Sequence, residues 1–169
     1  MDLNFYYQQL EATGAAIRSL TNGLTIEQAR WRPNPESWSL LEVINHLYDE
    51  EREDFRAHLS GLFQNPPQPW TIIDPQQWVK DRHYNESDLH LTIDNFLRER
   101  SASLAWLLSL KDPDWQAAYE GPSGKLSAGD LLASWAAHDL LHLRQLVELR
   151  YACLALAAAP YDLQYAGDW

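Results

Sequence analysis

SAGDLLASWAAHDLLHLRQLVELRYACLALAA, from Ser127 to Ala158, is the stretch from which the rest of the chain can be read. Ser127 stands three residues before Asp130. At that spacing a serine side chain takes an orphan amide of the first helical turn and the acidic side chain returns the bond. Pro160 closes the run, because proline cannot continue a helix. On a helix of 3.6 residues per turn, Leu131, Trp135, His138, His142, Gln145 and Leu149 fall on one face. Two histidines therefore lie one turn, about 6 Å, apart in the middle of an apolar seam. A neutral imidazole buried there is penalised by on the order of 1–3 kcal/mol unless its ring nitrogens find partners. Two rings one turn apart can reach a single metal ion. They can equally be core histidines bonded to carbonyls and hydroxyls. The residue after His138 is Asp139, not the glutamate of zinc proteases, so "HDLLH" is no protease motif.

Three more helices lead up to this one. Leu3, Tyr6, Tyr7, Leu10, Ile17 and Leu20 recur near the helical period over residues 3–21, and Asn22–Gly23 is a stop signal. Thr25 to Gln28 has capping-box spacing and opens a single helical turn before the prolines of "RPNPES". Ser39 and Glu42 form a second capping box, ahead of Leu40, Val43, Ile44, Leu47, Phe55, Leu59 and Leu62, which predicts a helix over 40–62. Ser87 and Asp88 start a third long helix through Leu89, Ile93, Phe96, Leu97, Leu104, Leu107 and Leu108, ended by "DPDW". Between the second and third runs "FQNPPQPWTIIDPQQWVKDRHYNE", with four prolines, reads as a long loop. At up to about 3.3 Å per residue it can cross the length of a bundle, so its flanking helices can run parallel. "EGPSGK" reads as a turn, and no segment reads as a convincing strand. The aromatic tail after Pro160 has no clear period, and its aromatics can pack back on the bundle. The fold class is all-α, a four-helix bundle with a long crossover between helices two and three, in a single domain over 1–169.

Composition narrows the function. The 169 residues carry 24 acidic and 13 basic side chains, a formal charge of −11. Phosphate backbones and anionic membrane surfaces would repel such a chain, so neither nucleic acid nor membrane is an expected partner. One cysteine, Cys153, forms no internal disulfide and fits a reducing, cytoplasmic setting. The N-terminus lacks a basic-then-apolar leader. The longest apolar run, "ACLALAAA", is far short of the roughly 20 residues that span a bilayer.

A third ligand for His138 and His142 would favour the metal. His46, in "LLEVINHLYDEE", lies beside the apolar stripe of helix two, with Glu50 and Glu53 further along that face. His58 lies about 18 Å further along the same helix, too far to share a site with His46. His83 and His90 read as solvated. Glu50 and Glu53 are candidates to orient His46 or act as a base, Glu50 being the catalytic candidate. Against them, "DEERED" over 49–54 is a charge run of the kind that usually faces solvent. Trp38, Trp70, Trp78 and Trp135 are candidate pocket walls. Asp139 and Arg144 fall off the histidine face and are expected to pair on the surface or across helices.

"WRPNPESWSLLEVINHLYDEE" resembles the first signature of the DinB-like superfamily: a tryptophan before a proline-rich turn, "WS" opening helix two, and a histidine followed by leucine. "GKLSAGDLLASWAAHDLLHLRQL" resembles the second, and "FLRERSASLAWLLSL" is similar to the family's third helix. The resemblance implies a four-helix bundle with a long crossover and a three-histidine site formed by His46, His138 and His142. It further implies a divalent metal ion, zinc, nickel or iron depending on the member, with coordination positions left open. Related enzymes use thiols, among them bacillithiol S-transferases and mycothiol-dependent isomerases. The expected function is therefore metal-dependent transfer or hydrolysis on a small-molecule substrate, a low-molecular-weight thiol among the candidates. The alternative is a metal-binding, stress-related bundle without turnover. A homodimer is compatible with either.

Overall fold

The computed structural model describes residues 1–122 and 124–167. The first helix, α1 (Leu3–Thr21), is capped by Asp2, whose carboxylate accepts from the Phe5 amide at 3.1 Å. The short α2 (Ile26–Arg30) and the long α3 (Leu40–Asp49) each carry the expected capping box, on Thr25/Gln28 and Ser39/Glu42. Helix α3 passes into a π-helical segment, Glu50–Phe55, and resumes as α4 (Arg56–Leu62). Helix α6 (Leu89–Ser109) is capped by Asp88, and α7 (Ala128–Ala158) by the Ser127/Asp130 box.

Contacts fix the relative directions of three of the four long rods. Asn45 meets Thr92, Glu51 meets Arg100 and Arg56 meets Ser103, so α3–α4 and α6 advance together and run parallel. His46 meets His142 and Trp135 meets Glu51, so α3 and α7 run antiparallel. The crossover between Leu62 and Leu89 supplies the length that a parallel neighbour demands. Two apolar clusters form the core. One gathers Ile17, Leu40, Ile44, Phe96, Leu146 and Leu149; the other gathers Leu10, Leu59, Leu107, Leu132 and Trp135. Among the described residues no helix is long and apolar enough to cross a membrane.

Three elements differ from the sequence reading. The crossover is not all loop: Asp74 caps the Gln77 amide, Pro75 supplies a preset first helical residue, and α5 (Pro75–Asp81) forms. The "EGPSGK" turn joins two short antiparallel strands, β1 (Ala118–Gly121) and β2 (Gly124–Ser127), each too short to show an alternating pattern. The tail aromatics stay outside the core: among the described residues Tyr161 and Tyr165 are exposed, a 3₁₀ turn spans Gln164–Ala166, and none of residues 161–167 is buried, although Tyr161 and Leu163 lie alongside Tyr151 and Ala155 of α7.

Candidate metal centre

The antiparallel packing of α3 on α7 brings His46 against His138 and His142. The three Nε2 atoms form a nearly equilateral triangle, with edges of 3.3 Å from His46 to His138, 3.1 Å from His46 to His142, and 3.1 Å between the α7 pair. Burial lowers the pKa of all three rings. His138 falls to about 4, and His46 is pushed further down by the two neighbouring imidazoles. The rings are therefore neutral at pH 7. Gln145 Oε1 takes the Nδ1 proton of His142 at 2.8 Å, which leaves its Nε2 with a lone pair aimed at the centre of the triangle. The Nδ1 atoms of His46 and His138 are buried without a hydrogen-bond partner.

Three neutral imidazole nitrogens facing one another are poorly satisfied by each other. A cation resolves the conflict. For metal–nitrogen bonds of about 2.0–2.1 Å, an equilateral donor face has edges of about 3.3 Å in tetrahedral and about 2.9 Å in octahedral coordination. The observed 3.1–3.3 Å falls between them. The donor set fits a borderline divalent ion such as zinc, nickel or iron, and a face of three protein ligands leaves further positions for small molecules.

Glu50 is the carboxyl at this centre. Its oxygens lie 3.9 Å from His46 Nδ1 and 4.0 Å from His138 Nε2. Burial, then a hydrogen bond shared with Asp54 and the charges of Asp54 and Asp49, raise its pKa to about 9. Glu53 is not at the site: Arg82 holds both its oxygens, at 3.0 and 2.8 Å, and turns it away.

The expected solvated face of the 49–54 run is mostly buried, and the π segment explains how. Arg56 N–H bonds to Glu51 O, five residues back, which widens the turn and re-aims the side chains around it. Asp49, Glu50 and Glu51, all under 5 % exposed, go three ways. Asp49 accepts from Tyr84 Oη at 2.5 Å and from Arg82. Glu50 faces the imidazoles. Glu51 receives Arg100 at 2.9 and 2.7 Å and Trp135 Nε1 at 3.1 Å. Arg100 also holds Asp139, at 2.5 and 3.0 Å, and Asp139 accepts from Thr13 at 2.7 Å. One buried guanidinium thus ties the neighbours of Glu50 and His138 together, a cross-helix pairing whose partners for Asp139 no spacing rule names.

The other histidines lie elsewhere. His58 is buried against Trp70 (ring centroids 3.9 Å), with Nδ1 2.6 Å from Asp54 and Nε2–H donating to the Thr71 carbonyl at 2.9 Å. It pins the crossover rather than lying free. His83 and His90 are exposed, as expected. Arg144 pairs with Glu148 on the surface. Cys153 Sγ sits 4.0 Å from Gln28 O, far from the triad in the fold.

The triad forms the floor of a cavity of about 720 Å³ walled by Trp38, Ser37, Gln76, Gln145 and Glu36 among others. The Trp38 ring lies 4.9 Å from that of His46 and 6.4 Å from, and nearly parallel to, that of His142. Trp70 and Trp78 line a separate cavity, and Trp135 is core, stacked on Phe55 at 5.7 Å. Glu36, Ser37 and Gln76 carry no helical period and had no signal in the sequence.

A family model for the DinB superfamily matches residues 9–146. No curated protein sequence matches the chain. Among solved structures, the chain is similar to YfiT from Bacillus subtilis, described as a probable metal-dependent hydrolase with an unusual four-helix bundle topology. The TM-score is 0.74 at 17 % identity, covering 89 % of this chain and 87 % of that one.

Proposed function

This chain belongs to the DinB superfamily, and from that premise and the geometry above we propose that it is a metal-dependent hydrolase of a small molecule, with His46, His138 and His142 as the ligands of one divalent ion. The observation that carries the reading is the converging Nε2 triangle on the floor of an open 720 Å³ cavity. When bound, such an ion lowers the pKa of a coordinated water and polarises a carbonyl or similar acceptor. The description of YfiT as a metal-dependent hydrolase supports the same class.

The side chains divide the remaining work. Gln145 fixes the tautomer and ring angle of His142. Glu50 holds or releases a proton beside the imidazoles. Burial and Asp54 favour its neutral form, and a cation on the triad would favour its carboxylate, so the two forms are suited to exchanging a proton at this position. Trp38 shields one side of the triad from water. A buried carboxyl next to the ligands can take the proton that a water, or equally a thiol, gives up on ligation, and the likeness to YfiT is what favours hydrolysis over thiol transfer.

Cobalt(II) bound to tag-free protein tests the proposal. The visible spectrum should change on adding azide or a thiol, and should titrate with pH. Glu50→Gln should keep the metal but shift that titration. A cobalt spectrum indifferent to every added anion and to pH would leave a sealed, structural metal site instead.

A further inference from the structure

Gln145 stands one helical turn beyond His142 on α7, and its side chain lines the cavity above the triad. An amide has two different ends, and the imidazole decides which of them it meets. A histidine nitrogen that ligates a metal carries no proton, so His142, ligating through Nε2, keeps its proton on Nδ1. Nδ1–H can only donate, and of the two ends of the amide only Oε1 can accept. The 2.8 Å contact between Nδ1 and Oε1 is that bond. The opposite end, the NH2 group on Nε2 of Gln145, is thereby turned away from the ring. Among the described residues nothing accepts from it, and it is not buried, so it remains an accessible donor on the cavity wall. Gln76, the other amide of that wall, is exposed, and among the described residues its side chain makes no hydrogen bond, so neither of its ends is fixed.

Resting on the hydrolase reading above, we infer that Gln145 also binds the substrate: its NH2 donates to a carbonyl-type oxygen, and the molecule this cavity accepts carries that oxygen in an ester, amide or ketone. The bond to His142 already holds the amide in one rotamer, so a second hydrogen bond from the same group orders little that is still free. The donor needs an acceptor lone pair, which a carbonyl oxygen offers and a methyl group of the same size does not. The same amide also couples the two halves of the site. Occupation of the triad holds His142 in the tautomer that keeps Oε1 on the ring, and so keeps the NH2 facing the cavity. A metal-free His142 is free to take the other tautomer, accept at Nδ1 and draw the NH2 to itself. Metal and substrate oxygen therefore favour one another through one side chain.

Gln145→Glu separates the two ends of the amide, because a carboxylate still accepts from His142 Nδ1–H but has no hydrogen to donate. Two thiols serve as probes. 4-Mercaptobutan-2-one carries a ketone oxygen that accepts and cannot donate, and 3-methylbutane-1-thiol puts a methyl group in its place. Each is titrated into the cobalt(II) form of wild type and of Gln145→Glu, following the sulfur-to-cobalt absorption. Both proteins should take up one cobalt per chain. The affinity of the ketone relative to its isostere should fall about three- to tenfold from wild type to the variant, the worth of one hydrogen bond. Comparing ratios cancels the acidities of the thiols and the general effect of the added charge on thiolate binding. In isotope-labelled zinc protein, proton–nitrogen spectra should show the Gln145 NH2 hydrogens moving downfield with the ketone and not with the isostere. Equal ratios in the two proteins, an NH2 signal that ignores the ketone, or a variant that holds no cobalt would overturn the inference while wild type keeps an open metal site. A wild-type cobalt centre that responds to no thiol and no azide would overturn the hydrolase reading and this inference with it.

Discussion

Gln145 Oε1 accepts the Nδ1 proton of His142 at 2.8 Å, and that single bond decides which nitrogen of the ring faces the triad. Gln145→Leu should weaken metal binding about 10- to 100-fold without unfolding the bundle. Competition with a chromogenic chelator measures this, and unchanged affinity would remove Gln145 from the site. Glu50 makes the opposite kind of prediction. Its pKa in the metal-free fold is raised to about 9, so between its ordinary carboxylate range and pH 9 folding holds a proton that the unfolded chain releases. Metal-free stability on its account is full at acid pH and falls as pH rises. Metal-free Glu50→Gln should therefore melt at least about 3 °C above metal-free wild type at pH 8, and a lower melting point would contradict the burial argument. The histidines carry the reverse sign. His138, lowered to about 4 in the fold, contributes stability above its ordinary pKa of 6.5 that is lost as pH falls. At this scale the spacing of His138 and His142, and the position of His46 on its helix face, were legible in the chain. Gln145 was legible as a position on the seam but not as a hydrogen-bond partner, because that depends on rotamers.

The second long helix is the element where periodicity misleads. A uniform 3.6-residue period puts Glu50 and Glu53 on the face of His46 and makes residues 49–54 a solvated run. The π turn at Glu50–Phe55 sends Glu53 to Arg82 and buries Asp49, Glu50 and Glu51 instead. Nothing in the local composition announces that turn; it is stabilised by distant partners, Arg100 above all. Arg100→Leu would leave Glu51 and Asp139 buried without their countercharge and should cost about 3–5 kcal/mol. Urea unfolding measures it, and a loss under 1 kcal/mol would mean the guanidinium is incidental. The capping boxes at Ser39 and Ser127 were legible because their chemistry is local. Helix α5 and the β hairpin were not, each being short and held by its surroundings. The crossover still offers the most accessible backbone. Native proteolysis should begin within residues 64–73, and first cuts inside α3 or α7 would contradict the fold.

On the scale of the whole molecule, the triad joins α3 to α7 between two apolar clusters to which the three histidines do not belong. The order and parallelism of the helices were legible from the length of the crossover. The cavity was not, because its upper wall comes from Glu36, Ser37 and Gln76 in segments brought together only by folding. A bundle with its own core should not need the ion to fold. Chelator at neutral pH should remove only the stability that ion binding contributes, lowering the melting temperature while circular dichroism stays helical and the transition cooperative. Unfolded metal-free protein would instead make the centre structural. The central claim, one divalent ion held by three named imidazoles, is tested most directly by metal content. Tag-free wild type, His142→Ala and His58→Ala are equilibrated with excess zinc, desalted and analysed by mass spectrometry. Wild type and His58→Ala should each retain one equivalent per chain and His142→Ala essentially none; a full equivalent in His142→Ala, or none in wild type, would contradict the account.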